Sequence, residues 1–119
     1  MNKQSIEEAL TGLNNLLLQG KLMEAFENYY HEKVSMQENN FEPTRSKSAN
    51  RKREQEFLAN VTEFRSAELK AVAVNENTSF TMWAYDYTHK EWGVRNYTQI
   101  AVQQWQDGQI INEQFFYAN

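Results

Sequence analysis

Carboxylates and phenols are the residues of this 119-residue sequence with chemistry to offer. Asp107-Gly108 is a two-residue hairpin signal. Counted outward from that turn, Trp105 faces Ile110, Val102 faces Glu113, Ile100 faces Phe115 and Thr98 faces Tyr117. Side chains alternate across a strand, so Thr98, Ile100, Val102, Gln104, Ile111, Glu113, Phe115 and Tyr117 share one face. That face is mainly apolar and is expected to meet the helices, with Glu113 as its acid. A buried carboxylate is costly unless it is paired or protonated. Glu113 is therefore either a structural ion pair or edge residue, or a pocket carboxylate that binds a ligand or moves a proton. Tyr30, Met36, Trp83, Tyr85 and Tyr117 either fill the core or line the pocket beside it, where tyrosine hydroxyls would orient a ligand.

Other chemistries find little support. His31 sits at an expected helix end and His89 near an exposed strand end, and two isolated histidines lack zinc-ligand spacing. No metal and no cofactor is expected. There is no cysteine, hence no disulfide or thiolate site. The four glycines are isolated and form no phosphate-cradling loop. A net charge of -4 disfavours a nucleic-acid binder. The cluster Arg45, Lys47, Arg51, Lys52 and Arg53 reads as a solvated helix face, with an anionic partner as the alternative. Asp86 and Arg95 are potential cross-strand neighbours, more in the manner of an ion pair than of a site.

These residues need elements to position them. Ser5 and Glu8 form a capping box ahead of Ile6, Ala9, Leu10, Leu13, Leu16 and Leu17, which recur at helical spacing. Gly20 ends that helix. A second helix carries Leu22, Phe26, Tyr29 and Tyr30. Val34 to Glu38 reads as a strand, and residues 41–45 as a loop. A third helix, capped by Ser46 or Ser48, runs to about Phe64 with Phe57, Val61 and Phe64 as its apolar stripe. Four strands follow: residues 68–74, 79–88, 95–106 and 109–117. Short turns between them make the sheet antiparallel there. The expectation is one α+β domain over residues 1–119, with element order ααβαββββ.

The other face of the last hairpin carries Gln99, Gln103, Trp105, Gln114 and Phe116. Glutamines mixed with large aromatics suit a protein interface better than free solvent, so this face is expected to form a homodimer. No apolar run approaches the roughly 20 residues of a membrane span. Glu7 and Glu8 lie among periodic apolar residues where a signal peptide would have a continuous apolar block. Cytoplasmic residence with no membrane partner is the expectation.

The element order, the segment Trp105-Gln-Asp-Gly-Gln-Ile110, the tail Phe115-Phe-Tyr117 and the stretch from Tyr30 to Glu38 resemble the SnoaL-like branch of the nuclear transport factor 2-like superfamily. So do Glu42-Pro-Thr-Arg45 and Arg53-Glu-Gln-Glu-Phe57. The resemblance implies a cone, in which a curved, mixed, mostly antiparallel sheet wraps the helices and leaves a pocket at its open end. It also implies dimerisation through the sheet. The polyketide cyclases of that branch carry a catalytic Asp shortly after a Gly-Lys-Ile turn. Laid on Gly108-Gln109-Ile110, that motif puts Phe115 at the Asp position and Glu113 at a His position. The ketosteroid isomerase pattern puts Leu13 where a Tyr is needed and Ala101 or Val102 where a late acid is needed; only Glu38 falls near the base position. Neither activity transfers.

The resulting expectation is a pocket for a small organic molecule. If it catalyses, the chemistry is cofactor-independent acid/base work of isomerase, cyclase, dehydratase or hydrolase type, with Glu113 or Glu38 as proton carrier. The alternative is a non-catalytic binding or dimerisation module whose cone is filled by side chains.

Overall fold

The computed structural model describes residues 2–118. The elements are α1 (Lys3–Leu18), α2 (Leu22–Tyr29), β1 (Tyr30–Glu38), β2 (Thr44–Arg45), α3 (Lys47–Asn60), β3 (Val61–Asn75), β4 (Thr78–His89), β5 (Gly93–Gln106) and β6 (Gln109–Phe116). One six-stranded sheet runs β2-β1-β6-β5-β4-β3. Its β1–β6 contact is parallel and its other contacts are antiparallel. The expected α+β fold and mixed sheet are therefore present, with the two-residue β2 in what reads as a loop.

Helix α1 begins one box earlier than Ser5 and Glu8 suggest. Asn2 is the N-cap: its side chain accepts from the Ser5 backbone N–H at 2.9 Å, and Ser5 Oγ accepts from the Asn2 N–H at 3.1 Å. Two orphan donors of the first turn are thus satisfied reciprocally. At the other end Gly20 takes φ 75°. Its N–H bonds to Leu17 O and that of Lys21 to Leu16 O, which closes the last turn in a Schellman arrangement. The buried face of α1 carries Ile6, Leu10 and Leu13. They join Ala25, Phe26, Tyr30, Val34, Met36, Trp105 and Ile110 in one apolar core.

Helix α3 ends at Asn60, four residues before Phe64. Val61 and Phe64, read from the sequence as its apolar stripe, belong to β3, and Phe64 is 60% exposed. The β-branched and aromatic run Val61-Thr62-Glu63-Phe64 suits a pleated surface, and it pairs with β4 through several register shifts. The helix is held by Phe57, which packs edge-on against Tyr87 at 5.5 Å, and by polar contacts. Ser46 Oγ caps it by accepting from Ala49 N, and Asn50 Nδ2 donates to Thr44 O and Ser46 O at 2.9 Å each. The basic cluster is not a uniformly solvated face. Lys47 is 5% exposed, with Nζ donating to Glu27 O at 2.9 Å, and Arg51 bonds the Glu27 carboxylate.

The β5–β6 hairpin decides which residues face inward. Asp107 and Gly108 have φ 54° and 83°, the two positive values that a type I′ turn requires. Trp105 pairs with Ile110 as expected, but Gln104 then pairs with Asn112. Ile111 is an extra residue, a bulge. Beyond it every partner shifts by one: Gln103 faces Glu113, Ala101 faces Phe115 and Ile100 faces Phe116. The expected sharing of one face by Ile100 and Phe115 is overturned. Glu113 still points inward, because the bulge offsets an inverted face assignment of β5. Gln99, Ala101, Gln103 and Trp105 are the buried residues of β5. Gln99, Gln103 and Trp105 therefore do not lie on an outer dimer face; of the residues read there, Phe116 is exposed and Gln114 half-buried.

Candidate functional site

Glu113 stands at the centre of the buried polar groups. It is 2% exposed and projects from β6 into the cone. The Tyr30 hydroxyl, at the start of β1, donates to its Oε1. Gln103 Nε2, directly across on β5, donates to its Oε2 at 2.9 Å. No ion pair to Glu113 is formed among the described residues. Burial pushes its carboxyl up to about 7; the Tyr30 and Gln103 hydrogen bonds pull it down, and the charge of Glu38 adds to the rise. Its proton is thus poised near neutrality without a cation beside it.

The partners have altered acidity too. Burial first, and Glu113 second, hold the Tyr30 phenol well above its usual range, so Tyr30 stays a neutral donor. The Tyr85 phenol is raised by burial and by Glu113 and Glu54. Tyr117 donates to Glu38 Oε2 at 2.6 Å, and burial together with Glu38 raises its phenol.

Glu54, on α3, is the residue that sequence reasoning missed. Burial pushes it up to about 7, with Glu113 and then Glu38 adding to the rise and Arg53 opposing it. Glu54 and Glu113 therefore share one electrostatic environment. The signal that points to it is Phe57, three residues on and so on the same side of the helix, which packs edge-on against the buried Tyr87 at 5.5 Å.

The remaining expected residues divide. Met36 belongs to the apolar core at 5% exposure, and Tyr30 adds its ring, stacked on Phe26 at 5.0 Å. Trp83 is buried and stacks on Tyr85 at 5.8 Å. Tyr85, Tyr97 and Tyr117 continue this row of rings at 5.8 and 5.3 Å. Tyr85, Tyr117, Glu38 and Glu54 are half-buried, whereas Glu113 and Tyr30 are buried. The groups that act on Glu113 and Glu54 are acidic and phenolic. Two shallow surface hollows lie away from Glu113. One, of about 440 Å³, runs along Lys3, Glu7, Thr11 and Val72–Val74, and the other, of about 260 Å³, lies around Ser66, Glu68, Tyr85 and Asp86.

His89 is not exposed as read from the sequence: it is 3% exposed, stacked on Trp92 at 3.7 Å, and its Nδ1 accepts from the Glu91 and Trp92 N–H groups. Asp86 and Arg95 do not meet. Asp86 pairs with Arg65 at 2.8 Å, while Arg95 lies over the Tyr97 ring at 4.9 Å. No group of acids and histidines among the described residues could hold a metal, and no described helix is long and apolar enough to cross a membrane.

Comparison with known proteins agrees with this fold. The chain belongs to the SnoaL-like domain family, which it matches over residues 4–117. No curated protein matches it. Among solved structures it is similar to a candidate SnoaL-like polyketide cyclase from Mesorhizobium loti, with a TM-score of 0.86, 23% identity and coverage of 94% of this chain and 98% of that one. It is also similar to an NTF-2 like protein of unknown function from Burkholderia xenovorans, at TM-score 0.79 and 13% identity over 100% of this chain and 87% of that one. An LEH-like epoxide hydrolase from M. tuberculosis follows at TM-score 0.78 and 10% identity, covering 98% and 84%. At such identities these likenesses establish the fold, and the fold hosts unrelated chemistries.

Proposed function

We propose that this SnoaL-like domain binds a small organic molecule at the mouth of the cone and performs cofactor-independent acid/base chemistry on it. Glu113 is the proton carrier and Tyr30 the neutral donor beside it. The observation that carries this reading is a buried carboxyl with two hydrogen-bond donors, no cation, and a proton affinity raised to about 7. A proton carrier is most effective when its pKa lies near the working pH. Glu54 and Tyr85 complete the wall. Glu38, held by Tyr117, acts on Glu113 through its charge. Isomerisation, cyclisation, dehydration and hydrolysis all fit such a site.

A specific observation favours a second reading, a side-chain-filled module without turnover. Glu113 has a partner on each oxygen, and the buried Met36 stands directly across from it on β1. Screening small neutral and basic molecules for a rise in melting temperature separates the two, because a ligand of the native state must stabilise it. The acid/base reading expects hits whose effect disappears in Glu113→Gln while the fold survives. Hits that ignore Glu113→Gln, or none at all, favour the filled module.

The partner proposed is a second copy of this chain, on the outer face of the sheet. Phe80 faces Val102, Met82 faces Ile100, and Ile100 faces Phe116, so the apolar residues run across β4, β5 and β6. Phe80, Met82 and Phe116 are 37%, 36% and 40% exposed. Thr98, Gln104, Asn112 and Gln114 surround them, and none of these residues is charged. A chain of net charge -4 repels its own copy, and an uncharged face is where two copies meet at least electrostatic cost. Cytoplasmic residence is part of the same proposal.

A further inference from the structure

Glu113 is one end of a longer run of buried hydrogen bonds. Trp105 Nε1 donates to Ser79 Oγ at 2.8 Å, Ser79 Oγ donates to Gln103 Oε1 at 2.6 Å, and Gln103 Nε2 donates to Glu113 Oε2 at 2.9 Å and reaches Thr81 Oγ1 at 3.4 Å. Ser79, Thr81, Gln103 and Trp105 are each under 5% exposed.

The direction of this run follows from donor chemistry. An indole nitrogen is a donor only, so Ser79 Oγ must accept from Trp105. Its own hydrogen is then free for Gln103, and an amide that accepts through Oε1 must turn Nε2 towards Glu113. The reversed amide would set Oε1 against a carboxylate oxygen. It would also leave the Ser79 hydrogen without an acceptor, which is costly in a buried site. The reversed amide suits only a Glu113 protonated on Oε2.

We propose that Ser79 and Trp105 are positioning residues for Glu113: by fixing the Gln103 amide they keep Oε2 an acceptor and confine the exchangeable proton to Oε1, where the Tyr30 hydroxyl donates to the carboxylate and turns to accept from the protonated acid. This inference rests on the acid/base reading of Glu113, which it deepens by giving the proton a single side of entry and exit. That side faces Tyr30, with Glu54 and Tyr85 within electrostatic reach. The titrating and charged groups around Glu113 are Tyr30 and Glu38 on β1, Glu54 on α3 with Arg53 acting on it, and Tyr85 on β4. Gln103, from β5, does not titrate, which suits it to hold a fixed direction.

The test is a pH titration of the Glu113 side-chain carboxyl by carbon-13 NMR, its resonance assigned by its loss in Glu113→Gln. Ser79→Ala removes the donor to Gln103 Oε1 and frees the amide to reverse. The expected result is a rise of about one unit in the Glu113 pKa, a tenfold change in the protonation equilibrium. Trp105→Phe leaves the Ser79 hydroxyl in place and should give a smaller rise in the same direction. A purely structural role for Ser79 would lower the melting temperature and leave the titration where it was. An unchanged or lowered pKa in folded Ser79→Ala overturns the inference, and Trp105→Phe decides in the same way if Ser79→Ala does not fold. The wild-type value is read separately. A Glu113 that titrates near 4.5 removes the acid/base reading, whereas the response to Ser79→Ala judges the positioning alone.

Discussion

Gln103 faces Glu113 directly across the β5–β6 pair, its Nε2 2.9 Å from Oε2, while the Tyr30 hydroxyl covers the other oxygen. A glutamine in place of Glu113 can keep the Gln103 contact through its Oε1, but its Nε2 then faces the Tyr30 hydroxyl, whose hydrogen loses its acceptor. Glu113→Gln therefore removes the charge at the cost of that one bond at every pH, and the difference from wild type depends on pH. The folded-state pKa of Glu113, about 7, lies above the unfolded value of about 4.3. The folded protein thus binds more protons than the unfolded one between these values, and wild-type stability from this group falls as pH rises through the window. Denaturant unfolding should show Glu113→Gln gaining on wild type by about 2 kcal/mol between pH 5 and pH 8. A variant that loses stability equally at both pH values would show that the carboxylate is needed in its ionised form.

Glu54 should respond to the same substitution. Glu113 is the leading charge that raises it, after burial itself. Glu113→Gln therefore lowers the Glu54 pKa from about 7 towards the ordinary carboxylate range, leaving the rise due to burial and to Glu38. A carbon-13 titration of the Glu54 carboxyl in both proteins measures this. An unchanged Glu54 would mean that the two acids do not share one site.

The sequence carried the cone and its acid for different reasons. Helical spacing from Ile6 to Leu17 and the Asp107-Gly108 turn are local signals, and both elements formed where those residues place them. Ile111 carries no such signal. A bulged residue looks like any other alternating position, and one extra residue exchanges the faces of a strand. That is why Gln103 and Trp105 read as outer residues. The pairing of Trp105 with Ile110 beside the turn was already legible and, weighed as a core pair, points to the buried face. Glu54 was hard to read for another reason: the inward side of α3 carries Lys47 and Asn50, and Phe57, packed on Tyr87, marks it apart from the stripe read through Val61 and Phe64.

Gly12 shows how a helix glycine can be fixed by a neighbour on another helix. Alanine is favoured over glycine by about 1 kcal/mol in a helix interior, so Gly12→Ala on α1 would ordinarily stabilise. Here a Cβ at position 12 would lie 2.2 Å from the Tyr29 hydroxyl and 3.2 Å from its Cζ. The tyrosine must move aside. Gly12→Ala should lower the melting temperature in the wild-type background, and Tyr29→Phe should recover most of the loss by removing the hydroxyl. The four proteins form a double-mutant cycle, and additive effects of the two substitutions would show that the hydroxyl does not fix this position.

The outer sheet face gives the assembly prediction, and it separates residues that the sequence alone had grouped together. Met82 is 36% exposed and faces Ile100, which faces Phe116, so it lies within the uncharged apolar area. Met82→Glu places a charge there without touching the core. If two copies meet on this face, the substitution buries an unpaired carboxylate and should shift sedimentation from dimer to monomer, weakening association at least tenfold, while the melting of the monomer changes little. Trp105→Glu must behave differently. Trp105 is 4% exposed, packs in the core with Ile110 and donates to Ser79, so a glutamate there should prevent folding at any protein concentration. A wild-type protein that sediments as a monomer at high micromolar concentration would remove the proposed partner. A dimer insensitive to Met82→Glu and Phe116→Glu would move the contact to another surface.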